Sequence, residues 1–288
     1  MRTAAMVTAA LATVTAPYVL IPGQIMRHHS CVHHVPNDTM LHPGTNGSVV
    51  AMLSDGDYQI YAPCEFPDQD ALASGYKANG YVTAAWIDDN LVPADGIGRF
   101  DSAMYTPSAP SDLRDGTIFL WTGTVGHASS KTMVNVLQPV LQIGTSGAGT
   151  RSTWGVACWY VGHSHTFYSS FIDASPKDVI TTSMQLQSGE WTLHASVNGS
   201  APAKLTVSAD ITAKQMAALV ALEAYKIADC SQYPYQYGTY FDEMRMESAT
   251  GKAFSPAWFV HEYVQQCNES STIHDPTYVS MYWDPTNV

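Results

Sequence analysis

Residues 136–144 read VLQPVLQIG, and in an extended chain Val134, Val136, Gln138, Val140 and Gln142 share one parity while Asn135, Leu137, Pro139, Leu141 and Ile143 share the other. That alternation is the mark of a strand, and it turns both glutamines toward the same face. A carboxamide on an otherwise apolar sheet face needs partners, because leaving one unpaired away from water costs roughly 1–3 kcal/mol. The two amides therefore either serve a site, or line a solvated cleft or pair with each other.

The same period recurs outward in both directions. Candidate strands lie at 49–53, 58–63, 81–87, 117–123, 133–144, 153–162, 166–174, 178–187, 190–198, 203–210 and 240–248. They are short, rich in β-branched and aromatic residues, and separated by Gly, Pro, Asn, Asp or Ser. Many short strands without repeats or heptads predict an all-β sandwich or barrel in one large domain. The exception is 211–230, ITAKQMAALVALEAYKIADC, whose alanine-rich start predicts one helical turn or a short helix before the chain extends near Leu222. Pro107 to Asp115 reads as a loop.

Composition narrows the setting. The chain has 288 residues, with 13 basic against 25 acidic side chains and a formal net charge of −12. No Lys/Arg cluster follows a phosphate backbone, so neither nucleic acid nor an anionic membrane is an expected partner. Only 13% of the residues are charged, a balance common in extracellular proteins that tolerate acid.

Met1, Arg2 and the apolar run AAMVTAALATVTA read as a secretory signal peptide, too short for a membrane span, with no second stretch long enough to cross a bilayer. Pro17 disfavours cleavage after Ala16, so the expected division is a leader over 1–24 with its cleavage point open, an N-terminal extension or pro-segment over 25–74, and the sandwich over 75–288. Four Asn-x-Ser/Thr sequons, at Asn37, Asn46, Asn198 and Asn268, accompany five cysteines, as in a secreted glycoprotein. The expected disulfides are Cys31–Cys64 and Cys230–Cys267, with Cys158 left as a small buried hydrophobe in the apolar strand VACWYV. A thiol in that setting is a poor nucleophile.

Other chemistries have weaker support. His28, His29, His33 and His34 crowd around Cys31, and His163 and His165 alternate on one side of a loop or strand, but no acidic or cysteine partner completes a ligand set, so no metal or other cofactor is expected. No G-x-S-x-G elbow supports Ser-His-Asp catalysis.

Taken in order, YVTAAWI (81–87), FLWTG (119–123), VLQPVLQIG, ACWYVG (157–162), the PKD turn leading into VITTSMQL, and LEAYKIADC (222–230) resemble the glutamic peptidase, or eqolisin, family of secreted fungal enzymes, in a divergent branch. The resemblance spans residues 75–265. It implies a concanavalin A-like jelly-roll β-sandwich of two curved antiparallel sheets, with a catalytic Gln and Glu on the concave face. Carried across, Glu223 in LEAYKI takes the glutamate's place, and Gln138 or Gln142 the glutamine's, the Gly after LQI favouring Gln142 slightly. Trp121, Trp159 and Tyr225 take the places of cleft aromatics that bind substrate.

The chain departs from the family where Val161 stands at an acidic position, and where WTGTVG lacks the acid expected after its Trp-x-Gly. The implied activity is acid-acting hydrolysis of polypeptides by a monomer. A carboxylate would move a proton between water and the leaving nitrogen while a carboxamide donates to the oxyanion. The competing reading is a lectin-like or polysaccharide-lyase-like sandwich that stacks sugar rings on Trp86, Trp121, Trp154, Trp159 or Trp191 and bonds hydroxyls through Gln138, Gln142 or Gln185. A non-catalytic relative is the third.

Overall fold

The computed structural model describes residues 17–70, 75–127 and 133–287. Two large sheets stack face to face. One has nine strands, ordered Phe259–Glu262, Ala78–Ile87, Gln215–Ile227, Thr117–His127, Met133–Ser146, Gly149–Val161, Thr166–Tyr168 and Val32–His34, with Ile172–Asp173 pairing beside the path. The other has eleven and is centred on Ile97–Tyr105, Val179–Gln187 and Glu190–Val197. This is the expected all-β sandwich.

Side-chain alternation builds two cores from the nine-stranded sheet. Leu137, Leu141, Val156, Val220 and Leu222 face inward against Phe100, Met184, Leu193 and Leu205 of the opposite sheet. Val136, Val140, Trp121, Trp159, Ala217, Leu219 and Ala221 face the other way into a second, smaller core. Both Gln138 and Gln142 are fully buried, and Gln138 follows the parity of that outer core, reaching Pro22 of the segment that covers it.

The expected helical start of 211–230 does not form. A single 3-10 turn at Ala209–Ile211 leads into the strand Gln215–Ile227. The reason is burial on both faces: Ala218, Val220, Leu222 and Ala224 enter the inter-sheet core while Ala217, Leu219, Ala221 and Tyr225 enter the outer one. A strand covered on both sides reads as a continuous apolar run, and its packing overrides the helical propensity of alanine. The segment Pro107–Asp115 is a loop, as expected.

Residues 25–70, expected as an extension or pro-segment, contribute strands to both large sheets. Val32–His34 adds parallel to Thr166–Tyr168 at the edge of the nine-stranded sheet, and Thr39–Pro43 adds parallel to Ala203–Ser208 in the eleven-stranded one. These parallel additions depart from an otherwise antiparallel plan. Ahead of them Tyr18–Ile21 and Ile25–His28 form a hairpin, and Gln69–Asp70 completes a three-stranded sheet with it. The leader expected over 1–24 therefore overlaps an ordered strand and turn at its end, while residues 1–16 lie outside the described residues.

Both expected disulfides are present, Cys31–Cys64 and Cys230–Cys267, closing loops with sequence separations of 33 and 37. Converting Cys230 and Cys267 together to Ala is expected to lower unfolding free energy by roughly 4 kcal/mol on the chain-entropy account, read from denaturant melts of oxidised wild type against the variant. Cys158 is free and buried, and burial pushes its thiol well above the ordinary range. Iodoacetamide at mildly alkaline pH is accordingly expected to leave Cys158 unmodified in native protein and to label it on unfolding, followed by mass spectrometry.

Candidate functional site

Glu223 sits near the C-terminal end of the central strand Gln215–Ile227, on its outer face, with no exposed surface. Cross-strand register places it opposite Tyr81 on one side and Phe119 on the other, and Phe119 is in turn opposite Gln142. Its carboxylate is held by neutral donors. Trp121 Nε1 donates to Oε1 at 2.9 Å, and Tyr225 Oη donates to Oε2 at 2.6 Å. The Gly23 backbone N–H donates to both oxygens, at 3.0 and 3.1 Å.

No cation neutralises this carboxylate within the described hydrogen bonds, and burial wins over the donors. It pushes Glu223 up from 4.5 to about 7, against the downward pull of Tyr225, Gly23 and Trp121. Burial, and then the charge of Glu223, raise the phenols of Tyr81 and Tyr225 well above their ordinary value. Lys226, three residues further along the chain, is turned to Asp115, 3.9 Å away.

The two glutamines differ in what they do. Gln142 is occupied locally: Ser146 Oγ donates to its Oε1 at 3.0 Å, and its Nε2 lies 3.5 Å from the Gly144 carbonyl. Gln138 Nε2 donates to the Pro22 carbonyl at 3.4 Å, and its Oε1 has no hydrogen-bond partner among the described residues. Trp159 lies directly across from Gln138 in register, stacked on Tyr168 at 4.8 Å, and its buried Nε1 also lacks a partner. Gln138 and Glu223 thus grip one peptide unit, Pro22–Gly23, by its carbonyl and its amide respectively.

Of the residues singled out in the sequence, Glu223, Gln138, Trp121 and Tyr225 come together around this unit, and Trp159 packs beside Gln138. Trp121 and Tyr225, expected to touch substrate, touch Glu223 itself. Tyr81 and the turn Pro22–Gly23–Gln24 were not legible as site components. The Pro-Gly dipeptide signals a turn, but its contact with Glu223 spans 200 residues of sequence.

Val161, standing where the resemblance expects an acid, is buried in the outer core. Among the tryptophans weighed for sugar stacking, Trp154 and Trp191 are buried in the inter-sheet core, and Trp121 and Trp159 beneath the hairpin. Trp86 lines a groove of about 560 Å3 with Phe259, His261 and Tyr263 at the sheet edge. The N-terminal histidines make separate contacts: His28 stacks on Phe66 with His29 at 4.7 Å, His34 bonds Ser170, and His33 packs on Tyr61 and Phe167 with His165 at 5.9 Å. Among the described residues no group of three His, Cys, Asp or Glu side chains could share a metal ion.

No protein-family model and no curated protein matches this chain. Solved structures do. Scytalido-glutamic peptidase with a transition-state analogue inhibitor matches at 15% identity and a TM-score of 0.49, over 72% of this chain and 98% of that one. The same enzyme with a peptide-based analogue matches at 16% identity and 0.47, with the same coverage. The alginate lyase of Klebsiella pneumoniae matches at 10% identity and 0.29, over 86% and 84%. The likeness is structural. Any functional reading has to stand on the residues of this chain.

Proposed function

We propose that this chain is a secreted, acid-acting peptidase in which Glu223 and Gln138 activate water against a peptide bond. The observation that carries the proposal is the grip on Pro22–Gly23, whose carbonyl accepts from Gln138 and whose amide donates to the carboxylate of Glu223. A polypeptide in the same place would have its reactive bond between an oxyanion donor and a proton carrier. Ionised Glu223 takes a proton from water as the water oxygen bonds to the carbonyl carbon. Gln138 Nε2 donates to the resulting oxyanion, and Glu223 then returns the proton to the leaving nitrogen as the C–N bond breaks. Trp121 and Tyr225 hold the carboxylate in place through the bonds they donate.

Secretion is supported by the two disulfides, by exposed sequon asparagines at Asn46, Asn198 and Asn268, and by the absence among the described residues of a helix long and apolar enough to cross a membrane. The test is hydrolysis of a denatured protein from pH 3 to pH 8, with Glu223→Gln in parallel. Wild-type cleavage that the variant loses supports the proposal; equal cleavage by both refutes it. The aromatic groove at Trp86, Phe259 and Tyr263 supports glycan binding as the second reading. That binding would survive Glu223→Gln.

A further inference from the structure

The face that carries Glu223 is covered. Ile21, Pro22 and Gly23, the apex of the N-terminal hairpin, are all buried, and Ile21 packs into the outer core with Phe119, Trp121 and Tyr225. Behind the apex the hairpin is pinned by Gly147 N–H donating to the Leu20 carbonyl at 2.6 Å. Arg27, 2% exposed, pairs with Asp68 at 2.6 Å and donates to the Gly162 carbonyl and to Thr166 Oγ1.

We propose that the Pro22–Gly23–Gln24 turn is a built-in, uncut occupant of the cleft that holds the Glu223–Gln138 pair closed to polypeptide. The inference rests on the peptidase reading for what the pair does, but the occlusion rests on contacts of this chain alone.

Two features make the turn an inhibitor and not a substrate. Both oxygens of Glu223 already accept from Gly23, with Trp121 and Tyr225 each adding a bond, so the attacking water has no position on the carboxylate. Gly23 and Gln24 also hold φ of +102° and +63°, a left-handed bend in place of the extended chain that peptidases bind. Two further features make the turn displaceable. Gln138 Oε1 and Trp159 Nε1 are buried beneath it without partners among the described residues, a desolvation cost that opening relieves. Above about pH 7, where Glu223 ionises in the closed fold, opening also rehydrates its buried charge.

The test uses the chain as it is secreted and two variants. Ile21→Lys sets a charge where the wild-type side chain has no exposure, and Gly23→Pro removes the gripping N–H and forbids the positive φ. Deuterium uptake over residues 18–28 reads the hairpin directly, and hydrolysis of a denatured protein reads the cleft.

The expected result is a protected segment in wild type, at least tenfold faster exchange in both variants with the sheet strands unchanged, and at least tenfold faster hydrolysis. Wild-type exchange as fast as the variants', variants no more active than an active wild type, a Glu223-dependent cut at Pro22–Gly23, or a secreted chain beginning beyond Gly23 would each overturn it. If wild type is protected and the variants are not, yet no form hydrolyses, the occlusion stands and the peptidase reading falls.

Discussion

Glu223→Gln is expected to lower hydrolysis by about 10²–10⁴-fold, the range assigned to a positioned general acid–base, because one carboxyl both takes the proton from water and returns it to nitrogen. The same substitution is expected to reshape stability with pH. Glu223 titrates at about 7 in the closed fold against an ordinary 4.5. A carboxyl whose folded pKa is raised favours the fold in its protonated form. That contribution is complete below about 4.5, and it is lost as pH rises through about 7. The loss is worth about 3 kcal/mol for a group this buried.

Glutamine stays neutral throughout, so the stability of Glu223→Gln relative to wild type should improve by about that amount between pH 4 and pH 8. Thermal melts at the two pH values check it; an offset that does not change with pH refutes the buried-charge assignment. Burial is the first cause of the upward shift, so a carboxyl rehydrated in the open cleft should ionise at lower pH. The acid limb of kcat/KM is therefore expected below the pH at which the closed fold titrates.

Gln138→Leu is expected to lower kcat by about 10²–10³-fold, the cost of losing one oxyanion donor. KM should change little, because the bond strengthens only as charge develops on the oxygen. Gln142→Leu should behave differently. Its Oε1 accepts from Ser146, so the variant strands a buried hydroxyl and is expected to lose about 1–2 kcal/mol of stability with kcat preserved. Steady-state kinetics beside denaturant melts separate the two, and a kcat collapse confined to Gln142→Leu would assign the donor role to that residue.

Much of the sandwich is legible because its period is local. The parity of residues 134–143 is the parity of the two cores, and the cysteine pairs follow from loops within one region. The strand Ile97–Tyr105 carries no such signal, because Gly98, Arg99 and Asp101 interrupt its apolar pattern and its pairing with Val179–Gln187 is non-local. The start of the Gln215–Ile227 strand looks helical in sequence because alanine favours helix unless both faces are buried.

The site was legible only in part. Glu223 looks like any charge in LEAYKIAD until the ordered motifs bring the resemblance, and the choice between the glutamines turns on what each amide touches. The hairpin was hidden for a further reason: an apolar stretch following a basic start reads as leader, whatever surface it later meets.

The Cys31–Cys64 bond fixes the chain seven residues beyond Gln24, and Cys64 N–H is itself bonded to the Ser164 carbonyl. An apex that lifts out of the cleft therefore stays on a short leash. Its local concentration is on the order of millimolar or higher, which a free peptide of the same intrinsic affinity matches only at a comparable concentration. Opening is thus a first-order event. Its rate, and any lag before turnover, should be the same at nanomolar and at micromolar protein.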